Sequence, residues 1–546
     1  MSKSLANNPI DEQHQQQNKT IENIVIVGGG TAGWITAGTL AAKLNKQHEK
    51  NFSITLVESA NVAPIGVGEG TWPTMRRTLK NMGIRETDFI RQCHVSFKQG
   101  AKFCQWVTGK QDDYYYHPLM LPEGGEHDNL AAHWFNIQFP YHQANEEWVP
   151  NQALSFSMCL SPQEAICQAG LAPKLITTAE YDAVANYAYH LDAGRFSKFL
   201  KQHCISQLNV NHIVDDVIAI NNDDSGDIQC VTTAKSGDVY GELFIDCSGF
   251  KSLLLGEHYQ VPFKSCKDIL FVDNAIAVQV PYENEQSPIA SQTISTAQTA
   301  GWIWDIGLSS RRGVGHVYSS KYISEQTAIA ELKQYLAPSV SNIDELTFRK
   351  IPINPGYREQ FWHRNCVAVG LSAGFLEPLE ASALLLVEIS ANMIAQQLPA
   401  NRACMDIVAK RFNQTFTYRW ERNIDFLKLH YMLTQRDDSQ FWIDNRHPDT
   451  IPQSLKTLLS LWKYHIPSDN DFIHATEVFP AASYQYVLYG MGFKTEASHR
   501  GLADTAQKDA ALLFQKVASD TSQLSAHLMS NRELLKLINQ YGLQRV

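Results

Sequence analysis

The chain has 546 residues, 44% hydrophobic and 19% charged, enough for about three or four domains of ~150 residues with ample core. A net charge of −10 and a pI near 6.0 leave no basic face for phosphate backbones, so nucleic-acid partners are not expected. No run approaches the roughly 18 apolar residues of a membrane span, and no membrane association is expected. Ten cysteines occur without a CxxC pair, and Cys230, Cys247 and Cys366 sit in apolar strand-like runs. That pattern predicts buried reduced thiols in a cytoplasmic protein, with no metal site.

Residues 1–20 are polar and lack the apolar core of a signal peptide, so they read as a disordered tail. Asn23-Ile-Val-Ile-Val27 then suits a buried parallel strand. It runs into Gly28-Gly29-Gly30-Thr31-Ala32-Gly33. Gly28 fits the tight turn, Gly30 the close approach of a pyrophosphate, and Gly33 the contact of helix with strand. Thr31 to Leu44 reads as a helix whose free N–H groups and dipole hold phosphates. Ser53-Ile-Thr-Leu-Val57 is the second strand, and Glu58 at its end is placed to accept from ribose hydroxyls. The bland alternative is a tight strand–helix turn without ligand. The acid disfavours NADP and leaves NAD and FAD open.

Further along, Phe196 to Cys204 is helix-like, and His212 to Ile220, Ile228 to Thr233 and Val239 to Ile245 form a β-meander. Phe244-Ile-Asp-Cys-Ser-Gly249 and Cys366-Val-Ala-Val-Gly370 each read as a sheet strand ending in a glycine turn. The second leads into a helix after Pro378. Residues 400–546 are mainly helical, with Met405 to Tyr431 a long amphipathic stretch.

This spread of strands predicts an α/β chain with a Rossmann-like, FAD-binding fold of the glutathione-reductase type. The FAD-binding module covers residues 21–399, with inserted segments at about 81–179 and 265–360 that carry a mixed sheet. Residues 400–546 form a helical module covering the substrate side. Candidate FAD contacts are Gly28, Gly30, Thr31, Ala32, Gly33, Glu58, Gly68, Gly249 and Gly370.

The chain resembles the flavin-dependent tryptophan halogenases over nearly its whole length. The motifs that carry the resemblance are Gly28–Gly33 followed by Trp34, Gly66-Val-Gly-Glu-Gly-Thr-Trp-Pro73, and Phe97-Lys-Gln-Gly-Ala-Lys-Phe103. Gly301-Trp-Ile-Trp-Asp-Ile306 and Phe375-Leu-Glu-Pro-Leu-Glu380 complete the set in the family's order. The resemblance implies an oxidoreductase in which reduced FAD and dioxygen turn chloride or bromide into hypohalous acid, which travels to an electron-rich aromatic. It also implies a separate flavin reductase. The oligomeric state stays open, a homodimer included.

On this resemblance Lys98 is the catalytic lysine, holding or accepting the halogen. Lys102, one helical turn later, is its decoy, and the residues alone do not choose between them. Glu380 is the active-site carboxylate, a general base or electrostatic stabiliser; as a bare residue it is a helix N-terminal acid after Pro378. Glu377 reads as structural, and Trp302 and Trp304 as neighbours on one strand face that screen flavin from substrate. His117 and Tyr116 are expected to bind substrate, His117 by stacking on its ring.

Three departures stand out. The family's Ser-Thr-Gly after the second glutamate is Ala381-Ser382-Ala383 here, so halide binding at Ser382 and Ala383 is an open expectation. An alanine in the glycine's left-handed conformation costs about 1–2 kcal/mol. Gly307 after Ile306 replaces a proline, read as a local turn change. The aromatic C-terminal insertion that clamps free tryptophan is not matched between Tyr464 and Tyr484. An aromatic hydroxylase is the alternative enzyme, and a flavin-binding protein without halogenation the non-enzymatic one.

Overall fold

The computed structural model describes residues 20–47, 52–61, 68–124, 130–138, 155–474, 476–496 and 504–545. Residues 1–19, most of the expected tail, and Gly66 and Val67 of the second motif lie outside them.

The Ile/Val-rich strand Asn23–Val27 lies inside a six-stranded sheet because its side chains must be buried on both faces. It pairs in parallel with Ser53–Glu58 on one side and Leu243–Asp246 on the other. Cys366–Ala368 adds in parallel beyond Leu243–Asp246, and Asn211–Val214 beyond Ser53–Glu58. Strands more than 300 residues apart therefore build one nucleotide-binding sheet, as the glutathione-reductase type requires. The helix Thr31–Gln47 packs across it beside the apolar helix Ser382–Gln396.

The meander is shorter than its sequence suggests. The run from His212 breaks at Asp215, whose carboxylate caps the Lys235 and Ser236 amides. Its first part joins the parallel sheet, and the rest forms an antiparallel trio with Ile228–Thr233 and Gly237–Tyr240. Among the described residues Leu379–Gln396 is long and apolar enough to cross a bilayer, but 67% of it is buried within the fold.

A seven-stranded mixed sheet forms the substrate side, ordered Arg349–Pro352, Asn274–Pro281, Arg311–Tyr318, Gly301–Gly307, Thr293–Gln298, Gly100–Cys104 and Tyr114–Pro118. Gly307 closes its strand opposite Arg312 and makes no turn. A small sheet of Glu69–Gly70, Ala188–Leu191 and Ser96–Lys98 abuts it. The 31-residue helix Arg402–Met432 runs behind, and Ala481–Gly490 packs on Tyr114–Pro118.

At Gly28 the backbone has φ +120°, and a Cβ there falls on the Cys247 carbonyl at the end of the neighbouring strand. We expect Gly28→Ala to lose about 3 kcal/mol or more of stability. Gly30→Ala, with nothing within 4 Å of its added carbon, keeps stability and loses flavin affinity. Urea unfolding and FAD titration of both variants check this.

Candidate active site

Lys98 lies on a strand, so the helical relation to Lys102 does not exist. Ser96–Lys98 and Gly100–Cys104 are consecutive strands of two different sheets, and the chain turns the corner at Gln99. The two lysines consequently part company. Lys102 leans over the Tyr114 ring at 4.5 Å, whereas Lys98 is buried and donates to the Thr71 carbonyl at 3.3 Å. Gly70 lets these segments approach closely: a Cβ there would stand 3.4 Å from Lys98 Nζ and 3.2 Å from Ala381 Cβ. Lys98 and the segment of Glu380 thus meet across one missing side chain. Burial pulls the Lys98 amine down to about 8, and the Glu380 charge resists that shift.

Glu380 does not sit in the first turn of a helix. It has φ 65° and Ala381 φ 54°, both left-handed, and the regular helix starts at Ser382. Each non-glycine residue in this conformation costs roughly 1–2 kcal/mol, which the surroundings must hold in place. They do so on three sides. Trp72 Nε1 donates to the Glu380 carbonyl at 2.9 Å, and His117 Nδ1 lies 2.9 and 2.8 Å from the two carboxylate oxygens. His430 Nε2 stands 3.4 Å from Oε1, with its Nδ1 at 2.6 Å from the Tyr115 hydroxyl. Burial pushes the Glu380 carboxyl up, but the His117 and His430 imidazoles outweigh it and hold it well below the usual carboxylate range. Lys98 and Glu380, both buried, therefore lie on adjoining segments, and the Trp72, His117, Phe426 and Phe479 rings pack together beside Glu380.

With that geometry in view, the profile described as tryptophan halogenase matches residues 23–507. The chain belongs to the tryptophan halogenase family. A structure of the tryptophan halogenase from Shewanella frigidimarina NCIMB 400 is 48% identical, with a TM-score of 0.92 over 97% of this chain and 100% of that one. BrvH, a flavin-dependent halogenase from Brevundimonas sp. BAL3, is 31% identical with a TM-score of 0.78, covering 95% and 99%. The 7-chloro-L-tryptophan 6-halogenase KtzR of Kutzneria sp. (strain 744) is 31% identical over 94% of this chain and 98% of its own.

The residues expected at the nucleotide cleft gather at the ends of the parallel strands, except Gly68, which lies against the seven-stranded sheet. Gly370 abuts Ala32 at the start of the first helix, where an added Cβ would come within 2.7 Å. Gly30 and Gly249 border open space, the cradle that a pyrophosphate and a flavin need. Glu58 Oε1 accepts from Lys201 and from His212 at 2.5 and 2.8 Å, and Oε2 lies against Gly29. Thr31 and Gly33 open the helix, and Gly68 packs beside Gly313 and Ile306. These residues fit FAD.

The tryptophan pair sits as alternation predicts: Trp302 and Trp304 are 6.4 Å apart on Gly301–Gly307. Glu377 anchors this wall, accepting from Trp302 Nε1 at 2.7 Å and from the Tyr431 hydroxyl at 2.5 Å. Burial raises its carboxyl to about 7.

Two expectations need revision. Tyr116 shares a strand with His117 and therefore points to the opposite face, toward Lys102 and Tyr114, away from Glu380. Left-handed strain falls on Glu380 and Ala381 and not on Ala383, which is helical and exposed. Ser382 is buried, and its hydroxyl accepts from Asn423 Nδ2 at 2.8 Å. Sequence reasoning missed His430, Tyr115 and Ser483. The local sign for His430 was a histidine within the mainly apolar stretch 426–433; Tyr115 and Ser483 gave none.

Proposed function

We propose that this protein is an FADH2-dependent halogenase that passes hypohalous acid, made from chloride or bromide and dioxygen, to a small indole-like aromatic. Its reduced flavin comes from a separate reductase. The observation that carries this reading is the approach of Lys98 to the segment of Glu380, 282 positions away, with both side chains buried beside Gly70. FAD, when bound and reduced, would supply two of the four electrons that dioxygen takes up, and the halide the other two in becoming hypohalous acid. Gly28, Gly30, Thr31, Ala32, Gly33, Glu58, Gly68, Gly249 and Gly370 are assigned to hold it. Ser382 and the backbone at Ala383, opening a helix, are assigned to the halide.

The chain's own residues then act on the oxidant. The Lys98 ammonium donates a hydrogen bond to the oxygen of hypohalous acid, which raises its electrophilicity. The aromatic carbon attacks the halogen, the halogen–oxygen bond breaks, and the oxygen takes a proton from Lys98 and leaves as water. Glu380, held ionised, takes the proton from the substituted carbon and restores the ring. Burial of Lys98 and Glu380 keeps bulk water from them, which keeps both charges effective.

Incubating the enzyme with reductase, FAD, dioxygen and each halide against an indole panel, then reading halogen isotope patterns, tests this function. Oxygenated products without halogen would overturn it. A pH profile adds a second check. Because burial lowers the Lys98 amine to about 8, the donating ammonium is lost as pH rises through that value. The alkaline limb of kcat/KM is expected near pH 8, and activity unchanged at pH 9.5 would contradict the donor role.

A further inference from the structure

His117 was expected to stack on substrate, yet both of its ring nitrogens are already engaged. Nδ1 faces the two Glu380 oxygens at 2.9 and 2.8 Å, and Nε2 lies 2.9 Å from Ser483 Oγ. The ring is 3% exposed. A carboxylate only accepts, so the nitrogen facing it carries the proton; Nδ1–H donates to Glu380. Nε2 is then free to accept from the Ser483 hydroxyl. That hydroxyl belongs to Ala481–Gly490, the helix packed on the strand of His117.

We propose that His117 is a positioning residue: with Nδ1–H donating to the carboxylate and Nε2 tethered to Ser483, it keeps Glu380 ionised and fixed in orientation. This rests on the reading of Glu380 as the proton acceptor. The arrangement explains how two left-handed residues persist, since the carboxylate is gripped as well as the backbone. It also gives the C-terminal helix a catalytic consequence, because docking of that helix brings Ser483 to the imidazole. The other groups facing Glu380 are His430 on Arg402–Met432, Lys98 on its strand, and Tyr115, whose hydroxyl reaches Glu380 only through His430. Each of them is retained in the variants below.

His117→Phe keeps an aromatic face and removes the donor, whereas His117→Asn keeps an N–H donor and removes the stack. Positioning predicts that the Phe variant loses about 10- to 100-fold in kcat with KM little changed. It also predicts an acidic limb of kcat/KM moved to higher pH, since Glu380 loses the group that holds it ionised. The Asn variant recovers part of the loss, and Ser483→Ala shows a smaller shift of the same sign. Stacking predicts the reverse order: Phe active, Asn raised in KM, and the acidic limb unmoved. That pattern would overturn the proposal while leaving Glu380 in place. Full activity of Glu380→Gln would instead remove the reading beneath it.

Discussion

Lys98→Ala is expected to bind FAD as tightly as the parent and to lose halogenation by about 10²–10³ or more, the loss typical of a buried donor serving a reacting atom. Flavin binding survives because Lys98 touches the Thr71 carbonyl and the space beside Gly70, not the glycine turn at Gly28. Stability should rise, or fall only slightly. A lysine whose amine is pulled down to about 8 is one whose charge opposes burial, and alanine removes that cost. The informative comparison is therefore activity against the urea midpoint and FAD affinity together. Lys98→Arg keeps a permanent cation but brings a planar fork into a space sized for an ammonium, so little activity should return. Lys102→Ala is the control, since its ammonium lies over Tyr114 on the far side. Halogenation retained by Lys98→Ala and lost by Lys102→Ala would reverse the assignment.

Much of the nucleotide half was legible in the chain because its signals are local. Apolar runs, glycines and a following helix fall within about 35 residues, and each obeys a period or a turn rule that neighbours cannot easily override. The strand ends at Asp246 and Ala368 were readable for the same reason. Lys98 misled because its neighbour of the same type lies four positions on, a helical spacing. The corner at Gln99 splits the stretch into strands of three and five residues, too short to display alternation. Glu380 and Ala381 carried no sign of a left-handed backbone, since neither residue type favours it. Their conformation comes from Trp72, His117 and His430, which arrive from remote parts of the chain. Ser483 and His117 are 366 positions apart, and nothing in either neighbourhood announces the other. Recognition of the motifs supplied Lys98 and Glu380 by position; the fold brings their segments together beside Gly70.

The chemistry at Glu380 is open to a sharper test than loss of turnover. Glu380→Gln preserves shape and one acceptor for His117, but removes the negative charge and the capacity to take a proton. We expect kcat to fall by about 10²–10⁴, the usual range for a positioned general base, with halogenating oxidant still formed at the flavin. The step affected is proton loss from the substituted carbon, so its kinetic signature should change as well as its rate. In the parent enzyme deuterium at that carbon should have little effect, because the ionised carboxylate sits ready beside the ring. In the variant, proton loss falls to water and should become limiting, so a clear primary isotope effect should emerge. An electrostatic stabiliser that never takes the proton would slow the reaction without producing that effect. Equal isotope effects in the two enzymes would therefore leave Glu380 a charge for the cationic ring and not a base, whereas unchanged kcat would remove it from the chemistry altogether.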